Sequence, residues 1–349
     1  MPEKINILIT GAGGTTGQSI IKALRISSLT CRLIAADTHP LAAGIYRADA
    51  GYLLPAADQP QYIPRLIDVC RQENIQVILI GSTPEVPVLA RHRDEIQKNC
   101  HALAVVSEKE TVDICHNKYN TCQFLKQNNL PGPETVDISD RSQTEMLIQK
   151  RGFPLLLKPQ QGCAARHVHV INSREEFDFF ARRINEPALL QEYLPGDDEE
   201  YTCGLFYSRD HRRLGEIIMK RQLSYGGTYR GMTDDFNDIR DYIRRVGDAL
   251  APTGPINIQL RNTPAGPVLF EINPRFSCSD AMRAQMGYNA PEAAVRHFLF
   301  GQEVRHLLRW RKAISLRYIN EVLITHEDYE KLVTQGHLDT CSGVPFTGF

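Results

Sequence analysis

Gln259, Glu271 and Asn273 are the residues whose types and spacing point most directly to chemistry. They lie in Ile256-Asn257-Ile258-Gln259-Leu260-Arg261, a turn containing Pro264 and Gly266, and Val268-Leu269-Phe270-Glu271-Ile272-Asn273-Pro274-Arg275. Side chains alternate along a strand, so Glu271 and Asn273 share a face, and Phe270 and Ile272 take the other. A hairpin folding about Ala265 sets Gln259 opposite Glu271. One carboxylate and two amide oxygens then converge. That donor set suits Mg²⁺, which takes few protein oxygens and fills its octahedron with water and phosphate. Pro274 stops the strand, and Arg275 beyond it can grip phosphate. The alternative is an edge hairpin with polar side chains on its wet face. The N-x-Q strand, the turn and E-I-N-P-R in this order make that the weaker account.

A second candidate is Thr10-Gly11-Ala12-Gly13-Gly14-Thr15-Thr16-Gly17. It sits between an apolar strand pattern and an amphipathic stretch. Glycine permits a tight turn and close backbone approach, and a helix N-terminus beyond it suits an anion. Asp37 ends the next strand pattern, where an acid can meet ribose hydroxyls. The spacing is G-x-G-x-x-x-G, not G-x-G-x-x-G, and a glycine-rich first turn is the ordinary outcome in a doubly wound sheet. A nicotinamide site is therefore ranked below a structural or non-nucleotide loop.

The elements that must position these groups can be read from periodicity. Ile5 to Thr10, Arg32 to Ala36, Val77 to Ile80 and His101 to Val106 read as strands. Gln18 to Arg25 and Tyr62 to Gln72 read as helices, the second with Ile63, Leu66, Ile67 and Cys70 on one face. Apolar strands alternating with helices mean a parallel sheet covered on both faces. Lys109 to Asn128 reads as one helix ending before the Leu130-Pro131-Gly132-Pro133 break. Strands follow at Phe153–Lys158, Val168–Ile171 and Leu189–Tyr193. A helix over Ser173 to Ile184 has Ser173 as N-cap and Glu176 three residues on. From Tyr201 the pattern is β-rich: Tyr201–Phe206, Gly215–Lys220, Ile256–Arg261 and Val268–Ile272. Helices over Asp235–Leu250 and Ala290–Phe300 interrupt or close it, the last capped by Gly301. Ile314–Tyr318 is strand-like.

These motifs, taken together over residues 5–300, resemble the ATP-grasp superfamily, in particular a single synthetase half of the carbamoyl-phosphate synthase large subunit. G-A-G-G-x-x-G opens the chain, and Asp37 and Pro84-Glu85 follow. Asn117-Lys118, Leu157-Lys158-Pro159, Gln191-Glu192-Tyr193-Leu194-Pro195-Gly196 and Glu200-Tyr201-Thr202 come next, then Asn273-Pro274-Arg275-Phe276-Ser277 with Gly287-Tyr288. The resemblance implies an α/β then α+β fold: an N-terminal doubly wound, Rossmann-like pre-ATP-grasp domain (1–106), then a two-lobed ATP-grasp domain. Its small lobe would span 107–190, its large lobe with the metal site 191–301, and 302–349 would be a C-terminal extension. It implies ATP and Mg²⁺ (or Mn²⁺) as cofactors, with Lys118 and Lys158 on the ATP phosphates. The backbone around Glu192 and Leu194 would read the adenine edge, and Glu200 would take the ribose hydroxyls. Gln259, Glu271 and Asn273 would hold the metal, and Arg275 would steady the transferred phosphoryl group.

Independent physics supports the lysine. At the end of an apolar strand, Lys158 is costly to bury unless an anion receives it, and a phosphate or a structural carboxylate would both serve. One departure from the family stands in Gln160-Gln161-Gly162-Cys163-Ala164-Ala165-Arg166-His167-Val168. The family has a glycine- and serine-rich phosphate loop here; this chain has only Gly162, while Arg166 can still reach a phosphate. The implied reaction is ATP-dependent ligation of a carboxylate to an amine through an acyl phosphate, releasing ADP and phosphate. Phosphorylation of bicarbonate or carbamate, or a non-catalytic ATP-binding module, are the alternatives. For the second substrate, Arg221, Arg230 and their glycine-containing loop suit an anionic acceptor or form an ordinary surface turn, on equal footing. Glu85 and the loop around Gly13 would complete that pocket.

Composition narrows the partners. In 349 residues, 40 Lys+Arg balance 41 Asp+Glu, so no net field draws the chain to nucleic acid or anionic lipid. No stretch approaches the ~20 apolar residues of a membrane span. Nine scattered cysteines with no C-x-x-C argue against a disulfide framework and fit a reducing cytoplasm. The expected partners are small-molecule carboxylate and amine substrates, and the resemblance is compatible with a homodimer.

Overall fold

In the computed structural model, the described residues are 4–162, 167–196, 199–224, 227–318, 320–341 and 343–345. The first sheet carries five parallel strands, Ile5–Thr10, Cys31–Asp37, Ala50–Leu53, Val77–Ile80 and Leu103–Val105. Their spatial order runs outward from Ile5–Thr10 in both directions, through Cys31–Asp37 to Ala50–Leu53 on one side and through Val77–Ile80 to Leu103–Val105 on the other. The chain thus reverses direction across the sheet between Ile5–Thr10 and Val77–Ile80. In open α/β sheets, that reversal opens a crevice at the strands' carboxyl ends. Thr10 ends the first of these strands, Thr16 follows it, and Thr83 and Glu85 follow the second.

Two larger antiparallel sheets and a two-stranded one, Val322–Leu323 beside Val344–Pro345, form the rest among the described residues. A four-stranded sheet has the order Thr135–Asp137, Ala188–Glu192, Leu155–Pro159, His169–Ile171. A six-stranded sheet has the order Gly266–Asn273, Gly254–Thr263, Glu200–Tyr207, Arg213–Ser224, Gly227–Thr233, Ala313–Leu316. One face of the larger sheet packs Cys203, Leu205, Ile258 and Ile272 against Tyr242, Ile243 and Val246 of the Asn237–Leu250 helix. Its other face sends Phe206, Ile217 and Met219 into the core of the parallel sheet, alongside Ile20, Leu24, Val295 and Phe298. That shared core fixes the first sheet's crevice against the polar end of the same face.

Several expectations need correction. The helix expected over Lys109–Asn128 is two helices, Lys109–His116 and Lys118–Gln127. Asn117 leaves helical geometry and caps the second, its side chain accepting from the Tyr119 and Asn120 N–H groups. An asparagine cap is worth about 1 kcal/mol to a helix end. Both helices pack Cys115, Phe124 and Leu125 into the core of the larger antiparallel sheet, not the smaller one. The Ala188–Glu192 strand, cut by a boundary at residue 190, belongs whole to the smaller sheet. The last fifty residues are shared out: Ala313–Leu316 joins the large sheet, and His337–Leu338 adds an antiparallel edge strand beside Ala50–Leu53.

Other elements escape the periodic reading altogether. Helix Glu85–Cys100 buries only Glu85, Val86, Leu89, Ile96 and Cys100 among many charges, so its apolar stripe is faint. Ala50–Leu53 is a strand only because its neighbour pairs with it. Ser173 caps its helix as expected, accepting from the Glu176 N–H (3.3 Å), but Glu176 reaches back to the Asn172 N–H (2.7 Å).

Candidate active site

The hairpin forms in the expected register: Gln259 pairs with Glu271 and Asn257 with Asn273, across the two-residue Pro264-Ala265 turn. A register shift between Gln259 and Leu260 marks a bulge, after which Leu260 pairs with Leu269. The bulge corrects the simple alternation. Leu269 and Ile272 enter the core, whereas Phe270 is only partly buried. An inserted residue re-aims the side chains on either side of it, and here Glu271 and Asn273 still turn to the face away from that core. Asn257, the first residue of N-x-Q, is spent on structure. Its Oδ1 accepts from Thr202 Oγ1 (2.9 Å) and from Nη2 of the buried Arg283 (2.7 Å), which is also paired with Asp280 (3.3 Å).

One cleft gathers Glu271, Asn273, Lys118, Gly162, His116 and Thr83. Four of these were expected from sequence. His116 and Thr83 were not, since a lone histidine and a lone threonine carry no spacing signal. Burial and Lys118 hold the His116 imidazole below its ordinary pKa. Lys118 heads its helix, donates from Nζ to the Gly162 carbonyl (2.9 Å), and donates from its backbone N–H to Gln160 O (2.8 Å). It therefore clamps residues 160–162, the start of the segment expected to cover phosphates. Arg166, also expected on the phosphates, lies outside the described residues.

Lys158 is 5 % exposed, and among the described residues its Nζ hydrogen-bonds Gln191 Oε1 (2.7 Å), a neutral acceptor. Desolvation pushes its pKa down to about 8, opposed by Cys122 and Glu271 and reinforced by Lys118. No carboxylate pairs with it among the described residues, so the structural alternative, a simple ion pair, is absent there.

Arg275 reaches across to the first sheet. Its Nε donates to Thr83 Oγ1 (2.9 Å), its Nη1 to Thr16 Oγ1 (3.4 Å), and its Nη2 to Asn273 Oδ1 (3.1 Å). The Asn273 amide nitrogen is buried and without a hydrogen-bond partner among the described residues. Such a donor costs about 1–3 kcal/mol until an acceptor arrives, and a phosphate oxygen in the cleft would supply one. Among the described residues, Glu271 is the only carboxylate lining this cleft, and no group of three His, Cys, Asp or Glu side chains could hold a metal. A magnesium shared with a nucleotide fits that sparse donor set.

Other assignments shift. Gln259 is opposite Glu271, but its Oε1 already accepts from Arg221 Nη2 (2.9 Å). Arg221 is itself buried and grips Glu200 through Nε (3.0 Å) and Nη2 (2.6 Å). Arg221 is thus part of the Glu200–Gln259 face and not of a surface loop. Glu200 is buried, whereas Glu199 is partly exposed and ion-paired with Lys220. Arg230 pairs in register with Gln222, on the opposite face from Arg221, and is exposed. The structure therefore separates the two arginines expected to act together. In the segment expected to read adenine, the Glu192 N–H is committed to Glu134 O (2.8 Å) and its carboxylate to Arg151 (3.1 Å). The Leu194 carbonyl accepts from Arg261.

At the crevice of the parallel sheet, the glycine loop turns out to be a packing device. A Cβ on Gly17 would meet Gly11 O at 2.3 Å and Ala12 Cα at 2.8 Å. Asp37 Oδ2 accepts from the Gly13 N–H (2.8 Å), and Oδ1 from the His39 N–H (3.1 Å). Asp37 braces the loop and does not await a ribose, and Gly13 has no spare N–H. Glu85 sits deeper, its Oε2 accepting from Thr10 Oγ1 (2.5 Å). Burial pushes its carboxyl up to about 7, partly offset by Thr10 and Tyr62, with Asp37 adding to the rise. The sign of the consequence follows. Between about pH 4.5 and 7 the unfolded chain has lost this proton and the folded chain keeps it, so stability falls as pH rises through that window. Glu85→Gln is expected to remove a loss of roughly 2–3 kcal/mol between pH 5 and pH 8. Urea melts of the two proteins at both pH values would show their difference growing with pH.

Comparison with known proteins bears on this geometry. Residues 7–103 match the family described as PylC-like, N-terminal domain. Residues 185–322, which carry the hairpin, match ATP-grasp in the biosynthetic pathway with Ter operon. Over residues 185–322 the chain is thus similar to ATP-grasp proteins. Curated relatives include the carbamoyl phosphate synthase large chain of Pyrococcus furiosus, 22% identical over 291 residues, covering 78% of this chain and 27% of the relative. The same protein of Methanocorpusculum labreanum is 19% identical over 352 residues, covering 92% of this chain and 33% of the relative. The chain thus spans a third or less of their length. Among solved structures, the biotin carboxylase domain of Hydrogenobacter thermophilus 2-oxoglutarate carboxylase has a TM-score of 0.69 at 15% identity. It covers 90% of this chain and 75% of its own, and it was crystallised with MgADP, ADP and bicarbonate. N5-carboxyaminoimidazole synthase of Aspergillus clavatus, with ADP and 5-aminoimidazole ribonucleotide, scores 0.68 at 14% identity, covering 91% of this chain and 83% of its own. The N-terminal parallel sheet followed by two antiparallel sheets is the fold these neighbours share. No helix among the described residues is long and apolar enough to cross a membrane.

Proposed function

We propose that this chain binds MgATP between its antiparallel sheets and phosphorylates a small carboxylate, which an amine then attacks, releasing ADP and phosphate. The observation that carries the reading is a single cleft holding Glu271, Asn273, Lys118 and Gly162, with Arg275 bridging from Asn273 to Thr83 and Thr16 of the first sheet. Glu271 and Asn273 would hold the metal; bound there, Mg²⁺ would offset the phosphates' charge. Gln259 would contribute only by sharing its oxygen with Arg221, since an amide oxygen has two lone pairs. Lys118 and Lys158 place positive charge on the phosphates, and catalysis of such a transfer is largely positioning and electrostatics. Arg275 touches both the metal strand and the crevice, so it is placed to meet the transferred group where the carboxylate arrives. The acid binds in the crevice beside Thr16 and Thr83, with Glu85 behind Thr10. The domain limits 1–106, 107–190, 191–301 and 302–349 are retained as functional divisions, with the strand and helix exceptions given above.

A second reading takes bicarbonate as the acid. The carbamoyl phosphate synthase relatives and the bicarbonate in the Hydrogenobacter structure support it. One experiment covers both. The full chain is incubated with MgATP and a panel of carboxylates, bicarbonate included, each with and without amines, and phosphate release is followed. The main reading expects release that needs both an organic acid and an amine. Release with bicarbonate alone would favour the second, and MgATP binding without release from any pair would leave only a nucleotide-binding module.

A further inference from the structure

We propose that Gln191 is a positioning residue for Lys158: its side-chain amide, oriented by hydrogen bonds running through Thr135 to the Pro133 carbonyl, holds the lysine ammonium in place without neutralising it. This rests on the reading of Lys158 as a phosphate ligand.

The direction of the chain is forced at both ends. A lysine ammonium only donates, and a peptide carbonyl only accepts. Thr135 Oγ1 donates its one hydrogen to Pro133 O (2.9 Å). It can therefore only accept from Gln191 Nε2 (2.7 Å) and from the Cys122 thiol (3.2 Å). With its NH₂ committed to Thr135, and to Cys122 Sγ at 3.8 Å, Gln191 must turn its oxygen to Lys158 (2.7 Å). A flipped amide would set two donors against each other. Gln191 is 1 % exposed and Lys158 5 %, so neither partner can exchange this bond for water.

The choice of amide over acid has a consequence. A buried glutamate here would form an ion pair and cancel the charge. A leucine would leave the ammonium without an acceptor. Glutamine satisfies one of its three donors and keeps the whole positive charge for an incoming anion. The other charged or titratable groups facing Lys158 are Lys118, Glu271 and Cys122. None of them is hydrogen-bonded to its Nζ among the described residues, so Gln191 is the direct handle there. Sequence reading placed Gln191 in the hinge and gave it no role, because a glutamine within an apolar strand has no spacing signature.

The test measures MgATP affinity of the full chain by isothermal titration, with the unfolding temperature of each free protein as the folding control. Gln191→Glu is expected to weaken MgATP at least tenfold, and Thr135→Val, which frees the amide to turn, at least threefold. Gln191→Met, matched in volume, serves if the glutamate variant fails to fold, with the same tenfold expectation. In the Lys158→Met background, the glutamate substitution should change affinity less than twofold, because a positioning residue acts only through its partner. Equal losses with and without Lys158 would reduce Gln191 to packing and overturn the proposal, as would wild-type affinity in folded Gln191 and Thr135 variants. A wild-type chain that binds no MgATP would overturn the nucleotide reading first, and this inference with it.

Discussion

Glu271→Ala is expected to lower nucleotide-dependent phosphate release about a thousandfold, ~4 kcal/mol of barrier, and to erase the effect of Mg²⁺ on ATP affinity. The reason is how little else could hold the ion. Glu271 is the only carboxylate lining its cleft among the described residues, and its neighbours on the strand face are amides already drawn on by arginines, Asn273 by Arg275 and Gln259 by Arg221. Neutral oxygens facing guanidinium groups are poor ligands for a dication. The side chain is half-buried and outside the hydrophobic core, so the unfolding temperature should barely move. Glu271→Gln separates charge from shape and should lose nearly as much. Titrations of ATP with and without Mg²⁺ check the binding half; a Mg²⁺ effect that survives either substitution would remove Glu271 from the metal.

Lys158→Met should weaken ATP binding by about 30- to 100-fold, the 2–3 kcal/mol of a charge-assisted hydrogen bond lost from a buried site. Methionine fills much of the same volume, so the strand that carries it should survive. The wild type also predicts a pH signature. Burial lowers the Lys158 pKa to about 8, so free protein loses the ammonium as pH rises through that value. ATP affinity should therefore decline above about pH 8 in the wild type and stay flat in the methionine variant. An equally steep decline in both would assign the pH effect to another group.

Much of this site was legible because its signals are local. Strand alternation and a two-residue turn suffice to place Gln259 opposite Glu271, and the register agrees. A lysine closing the Leu155–Pro159 strand reads as an anion site from desolvation cost alone. Where the reading went astray, a tertiary partner had intervened. Asn117 stops a helix that periodicity would continue, because its side chain can cap the next one. Asp37 is claimed by the Gly13 N–H, which only the closed loop brings within reach. Arg221 and Arg230 look alike in sequence, but strand pairing turns one inward and the other to solvent.

The sequence by itself determined the parallel first sheet, the β-rich second half, the hairpin register and the carboxylate on its inner face. All of these follow from side-chain periods of 2 and 3.6 acting over a few residues. Only the tertiary structure decided which polar groups remain available. Arg275 reaches Thr16 and Thr83, over a hundred and ninety residues away, because the larger sheet and the parallel sheet bury one common core. Gln191 acquires a direction only when Thr135 and Lys158 close on it from two other strands. A hydrogen bond depends on distance and angle in space, and no spacing along a chain encodes which distant donor will arrive first.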